Sequence, residues 1–407
     1  MSTASRFPRS TRPPADPTTR ATGTPGVLPR VDNPLDALFP ITDAMWAGMQ
    51  HEYANGREKG QTTHVPFLDK HFTWMPGYTN VITGWPGHGK TEFYYQLLLY
   101  RAVFAGKKTA IYSPENGRPQ DIYDGLIHSL TGRNPDRDWA RKLSLKDYAL
   151  AKDFIREHFV VVSPPRGMGK TPGHILAYFE AAIAHFGVDH SMFDPWNKAD
   201  HSAQVGMGGI EAYLIGVLDM CTSWAADTRQ HLVITAHPKR LEGMAFGNAR
   251  AVPDGAAISG GQTWENMAYV IGAVHRPNKH VEGDTSVELY WHKVKSHKLV
   301  GHPGSVGTIA PGESMPAVLV TFDWKTNRYY FNGWTPFNDP LAYEAWGGTF
   351  EEDRPAQRLL AEPETEGAPA PPPTWRNGSQ LPHGEEPAPQ LAADFTGRGR
   401  IVTLGTA

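Results

Sequence analysis

Gly84-Trp-Pro-Gly-His-Gly-Lys-Thr91 decides the reading of this chain. It meets the Gly-x-x-x-x-Gly-Lys-Thr pattern at every fixed position. It also lies where that pattern has mechanical meaning, between a strand-like run (Asn80–Thr83) and a helix-like one. Gly84, Gly87 and Gly89, with His88 among them, form a loop whose backbone N–H groups converge on phosphate at a positive helix end. Lys90 supplies a point charge to the β- and γ-phosphates, and the Thr91 hydroxyl is a Mg²⁺ ligand. The expected ligands are ATP and Mg²⁺, and the expected activity is ATP hydrolysis. A second stretch, Arg166-Gly-Met-Gly-Lys-Thr171, looks similar but has Pro164 where the first glycine belongs, so it reads as a basic surface loop.

Outward from the loop, short β-rich runs recur at Asn80–Thr83, Thr109–Ser113, Phe159–Ser163, Ser191–Asp194, Leu232–Ala236 and Tyr269–Val274. Helical stripes lie between several of them. One carries Phe93, Leu97, Tyr100 and Phe104 and stops at Gly106. A second opens at Thr171-Pro172 and is expected to bury Ile175, Phe179, Ile183 and Phe186. A third runs from Ile210 through Leu214, Val217 and Cys221 to Trp224. Such alternation predicts an α/β fold, a mostly parallel sheet flanked by helices. The consecutive strand-like runs Val287–Lys295 and Ala317–Asp323 predict an antiparallel extension at its edge.

Triphosphate hydrolysis needs an acid to hold the metal, an acid to activate water and a group that senses the γ-phosphate. Met192-Phe-Asp194 ends an apolar strand in an acid, which makes Asp194 the expected metal ligand. Tyr112-Ser-Pro-Glu115 ends the strand after the phosphate-loop helix, and Glu115 is the candidate general base because parallel strand ends gather at one edge. His237, closing Leu232–Ala236, is placed to contact the γ-phosphate.

These segments together resemble the RecA-fold motor domain of DnaB-like replicative helicases, including their Twinkle-like branch. The resemblance covers about residues 61–330. It rests, in order, on Gly84–Thr91, Ser113-Pro-Glu-Asn116, Phe193-Asp-Pro-Trp-Asn197, Ala236-His-Pro-Lys239, Ile258-Ser-Gly-Gly261 with Trp264-Glu-Asn266, and His292-Lys-Val-Lys295 before Gly301-His-Pro-Gly304. It implies a homohexameric ring that hydrolyses nucleotide between subunits and moves along single-stranded DNA. By the same resemblance, Glu115 matches the catalytic glutamate, Asp194 the Walker B acid and His237 a polar γ-phosphate sensor. Lys293 and Lys295 match a basic pair that reaches the neighbouring subunit's site. The second is usually arginine, and lysine lacks the planar fork of guanidinium. Arg276 is a second candidate for that cation. Met267-Ala-Tyr269 also departs from the family, which often has an acid there.

Residues 197–209 and 238–257 are Gly-rich, follow sheet strands and are candidates to line a channel. Lys239, Arg240 and Arg250 suit phosphate contacts that carry no base specificity.

The whole chain sets bounds on this reading. It has 407 residues, 40% of them hydrophobic, with net charge −3 and one cysteine, Cys221. A disulfide framework and a thiolate zinc site are excluded. No apolar run reaches the roughly 18 residues of a membrane span, so a soluble, cytoplasmic protein is expected, with an organelle or a phage-infected cell as the alternative settings. Residues 1–30 (Ser-, Thr-, Arg- and Pro-rich) and 340–407 (Pro-rich, with Ala368-Pro-Ala-Pro-Pro-Pro373) read as disordered tails suited to recruiting replication proteins. Residues 31–60 carry a short helical pattern around Leu38, Met45, Trp46 and Met49, an arm suited to packing on a neighbouring subunit. The motor domain is expected over 61–335. Two rival readings stay open, a recombination ATPase of the RecA-paralogue kind and a regulatory ATPase acting on protein partners.

Overall fold

The computed structural model describes residues 34–136, 142–239 and 251–348. Ten strands are present there: β1 (Thr79–Thr83), β2 (Thr109–Tyr112), β3 (Phe159–Val161), β4 (His190–Phe193), β5 (His231–Thr235), β6 (Val270–His275), β7 (Glu288–Val294), β8 (Gly304–Val306), β9 (Val320–Asp323) and β10 (Arg328–Phe331). Eight form one sheet in the order β3-β2-β4-β5-β1-β6-β7-β8. The first six are parallel, while β7 and β8 add on antiparallel.

The central strands β1, β2, β4, β5 and β6 are buried at every position, as expected of a parallel sheet covered on both faces. Successive residues of β1 serve opposite sides. Ile82 belongs to the core on one side, with Phe93 and Leu97 of the helix Lys90–Ala105 and Leu126 and Ile155 of the helices Pro119–Thr131 and Leu145–His158. Val81 packs with Phe179 and Leu218 of the helices Pro172–Phe186 and Ile210–Thr228, and with Trp264.

Three details differ from the pattern-based expectation. The helix Lys90–Ala105 is buried around its whole circumference over Phe93–Ala102, not along one stripe, because helices and a hairpin enclose it. Phe186, expected inside, is 55% exposed at the last turn before the Gly187 cap. The run around Val320 does not extend the sheet edge. It pairs with β10 in a separate hairpin that packs on the helix Lys90–Ala105, and β8 takes the edge position.

Burial continues beyond residue 335, where Phe337, Ala342, Tyr343 and Trp346 join the main core. The helix Asp43–Asn55, capped by the Thr42 hydroxyl, behaves oppositely. None of its residues is buried, and Met45, Trp46, Met49 and Tyr53 are all exposed. Of the expected tails, 1–30 and the part of 340–407 beyond residue 348, with the Pro-rich run, lie outside the described residues, while 340–348 packs on the core through Ala342, Tyr343 and Trp346. Among the described residues no helix is long and apolar enough to cross a membrane.

Candidate nucleotide site

Because β2, β4, β5, β1 and β6 run parallel, the loops after them emerge at one sheet edge in that spatial order. They carry Glu115, Asp194, His237, the loop Gly84–Thr91 and Arg276 respectively. Residues spread over 190 positions of sequence are thereby brought to one cleft.

The phosphate loop turns through glycines at φ 147° (Gly84), 70° (Gly87) and 88° (Gly89). At two of them space as well as conformation demands glycine. A Cβ at Gly84 would collide with the Val274 carbonyl, and one at Gly89 with the Tyr329 hydroxyl. Lys90 is 5% exposed, and its ammonium donates to the carbonyls of Gly84 (2.9 Å) and Trp85 (3.3 Å) within the loop. Burial lowers its pKa, and the Asp194 carboxylate opposes that shift. His88 accepts from the Arg276 backbone N–H at 2.9 Å, and burial drives its pKa down to about 3, so the ring is neutral.

Asp194 is the hub of the cleft. It is 3% exposed, and its Oδ2 accepts from the hydroxyls of Thr91 (3.0 Å) and Ser113 (2.9 Å) and from the Asn116 amide (3.4 Å). Its Oδ1 accepts from the Thr235 hydroxyl. A buried carboxylate with this many donors is fixed in place. With its proton pointed at Asp194, the Thr91 hydroxyl keeps its oxygen lone pairs for a cation. One carboxylate and one hydroxyl beside a phosphate cradle suit Mg²⁺, which retains waters and takes few protein ligands. Residues Thr91 and Asp194 would hold it, and it would supply positive charge that offsets the charge of the phosphates.

Glu115 keeps its side chain 45% exposed at the cleft mouth, and its Oε2 lies 3.5 Å from Nε2 of His237. Burial lowers the His237 pKa, with Lys90 adding to the effect and Glu115 opposing it. The His237 backbone N–H donates to the Asn197 side chain at 3.3 Å.

Other candidates lie elsewhere. Lys295 follows β7, whose last residue Val294 pairs with Val270 at the start of β6. It therefore sits at the sheet edge opposite the cleft, with its ammonium 4.7 Å over the Tyr269 ring, away from this chain's own phosphate loop. Arg276 reaches the cleft through its backbone and donates from its guanidinium to the Asp284 carbonyl at 3.0 Å. Lys239 is exposed, whereas Arg240 and Arg250 lie outside the described residues. The Arg166–Thr171 stretch forms a turn before the helix Pro172–Phe186, with Arg166 exposed.

Several site residues were not singled out by sequence. Ser113, Asn116 and Asn197 lay within quoted motifs without a role. Thr235, one strand away from Asp194, gave no signal. Tyr329 contributes from the hairpin, where its hydroxyl donates to the Gly89 carbonyl at 2.8 Å.

No family model matches the sequence. Over 213 residues the chain is 24% identical to the Twinkle homolog protein, chloroplastic/mitochondrial, of Arabidopsis thaliana. That match covers 51% of this chain and only 30% of the relative. The fold is similar to the ATPase domain of G40P, with a TM-score of 0.51 and 15% identity, covering 70% of this chain and 96% of that one. A DnaB-like replicative helicase, solved with respect to its interactions with primase, gives a TM-score of 0.51 at 14% identity, covering 72% and 69%. Set beside the cleft, these similarities show a RecA-like α/β fold, shared with the ATPase domains of DnaB-like helicases, in a chain whose sequence is similar to part of a Twinkle homolog.

Proposed function

We infer that this protein hydrolyses ATP and uses the energy to move along single-stranded DNA as a ring of identical subunits. The observation that carries the reading is the hydrogen bond from the Thr91 hydroxyl to Asp194, which ties the phosphate loop to the acid after β4. Phosphoryl transfer requires that arrangement.

In this account the loop N–H groups and Lys90 bind the β- and γ-phosphates, exchanging the Lys90 bonds to Gly84 and Trp85 for phosphate oxygens. Glu115 takes a proton from the attacking water, and the exposed carboxylate leaves room for that water at the cleft mouth. His237, uncharged and beside Glu115, donates to the γ-phosphate. A cation from the next subunit completes the site. Lys295 fits that role because it lies at the opposite sheet edge, where one subunit's cation can face its neighbour's cleft. Arg276 is the alternative.

Assembly is supported by the exposed helix Asp43–Asn55, whose apolar residues have no cover among the described residues. DNA contact is assigned to Lys239, Arg240 and Arg250, and the likeness to helicases supports it. Binding of labelled single-stranded DNA with a non-hydrolysable ATP analogue tests this. The reading predicts binding that weakens steeply with salt. Absence of binding at low salt favours a protein-directed ATPase.

A further inference from the structure

The phosphate-loop pattern leaves position 85 open, yet a tryptophan fills it, and its indole is 4% exposed. The indole N–H donates to the carbonyl of Ala251 at 3.0 Å. Trp85 is also held at its backbone, since its carbonyl accepts from Lys90. Ala251 begins a limb that returns to the end of β5. There the Lys239 N–H donates to the Ala257 carbonyl at 2.8 Å, and Pro238 forms an antiparallel bridge with Ile258. Midway, the Pro253 carbonyl meets Nε2 of His292 at 3.2 Å. Pro238 directly follows His237, the neighbour of Glu115.

The structure assigns Trp85 as a positioning residue whose indole N–H transmits occupancy of the phosphate loop to the limb Ala251–Ile258, and through the Pro238–Ile258 bridge to His237. The physical sequence is short. An incoming phosphate takes the Lys90 ammonium away from the Trp85 carbonyl, which keeps the His88 N–H at 3.2 Å, so the Trp85 peptide shifts towards that remaining donor. The large indole moves with its peptide and carries the Ala251 carbonyl with it, because a buried indole N–H keeps its acceptor. Phosphate binding itself needs nothing from an indole at this position. The inference rests on reading Gly84–Thr91 as the phosphate loop, and it is independent of whether the protein acts on DNA.

Hydrogen exchange followed by mass spectrometry on the full chain tests it, with and without a non-hydrolysable ATP analogue and Mg²⁺. The wild type is expected to change its exchange over 251–258 by about fivefold, the worth of one neutral hydrogen bond. Trp85→Phe, compared at its own saturating nucleotide, is expected to show less than about a twofold change. A merely structural indole would lower the stability of the fold but leave the saturated change intact. The same change in both proteins overturns the proposal, and so does no change in the wild type. Trp85→Tyr carries the same expectation should the phenylalanine variant not fold. Failure of the wild type to bind single-stranded DNA would remove the helicase reading and leave the exchange result standing. Failure to bind nucleotide at all would remove both.

Discussion

The hydroxyl of Tyr329 donates to the carbonyl of Gly89 across 240 residues of sequence, at 2.8 Å. The hairpin β9–β10 is thereby braced against the phosphate loop, and paired bonds between Tyr329 and Gln96 hold it to the following helix at 2.7 and 3.0 Å. Tyr329→Phe removes one hydrogen bond and keeps the ring. It should lower stability by about 1 kcal/mol and raise the KM for ATP, with kcat little changed. Gly89→Ala is far more severe, because the new methyl strikes the Tyr329 oxygen at a φ of +88°. Denaturant titration and steady-state kinetics on the two variants check this.

Glu115→Gln separates chemistry from binding. The carboxylate is exposed and outside the Asp194 network, so its loss leaves the fold and the phosphate cradle intact. The expected result is a kcat lower by about 10²- to 10⁴-fold with nucleotide affinity unchanged. Calorimetric binding alongside hydrolysis rates makes the comparison. A variant that hydrolyses at the wild-type rate would move the base to another residue.

Removal of residues before Gly60 tests the arm. None of the residues of the helix Asp43–Asn55 is buried, so its loss should leave the melting temperature nearly unchanged. Assembly should fall to monomers or small oligomers by sedimentation. Intact rings from the shortened chain would assign the exposed Met45 and Trp46 to something other than subunit contact.

Acid stability follows from buried histidines. His190 and His231 open the neighbouring strands β4 and β5 and flank Trp74, with ring centroids 5.0 and 4.6 Å away. Burial holds His231 down to about 3 and His190 well below its ordinary value of 6.5. Below the unfolded value of 6.5 the unfolded chain therefore binds protons that the folded chain refuses. Their contribution is complete above that pH and is lost progressively as pH falls towards the folded values. The urea midpoint should be lower at about pH 5.5 than at about pH 7.5. The His190→Gln, His231→Gln double variant should show a smaller difference.

The sheet was legible because parallel strands buried on both faces announce themselves as apolar runs. The expected Asn80–Thr83 and Leu232–Ala236 match β1 and β5 to within a residue at each end. The loop Gly84–Thr91 was legible because its glycines are forced by geometry. Less could be read where a role depends on a distant partner. Nothing local marks Thr235 as a donor to Asp194, or Tyr329 as a brace for Gly89, since both relations exist only after the sheet has assembled. The stripe on the helix Lys90–Ala105 understated its burial for the same reason. Part of what encloses that helix comes from a hairpin more than 200 positions later, Tyr329 among its residues.

The most direct test is ATP hydrolysis with and without single-stranded DNA, using wild type and Lys90→Ala. A translocating motor gives hydrolysis that DNA stimulates strongly in the wild type and that Lys90→Ala abolishes at any DNA concentration. Hydrolysis that depends on Lys90 but is indifferent to DNA would contradict the translocating motor and point to an ATPase directed at protein partners.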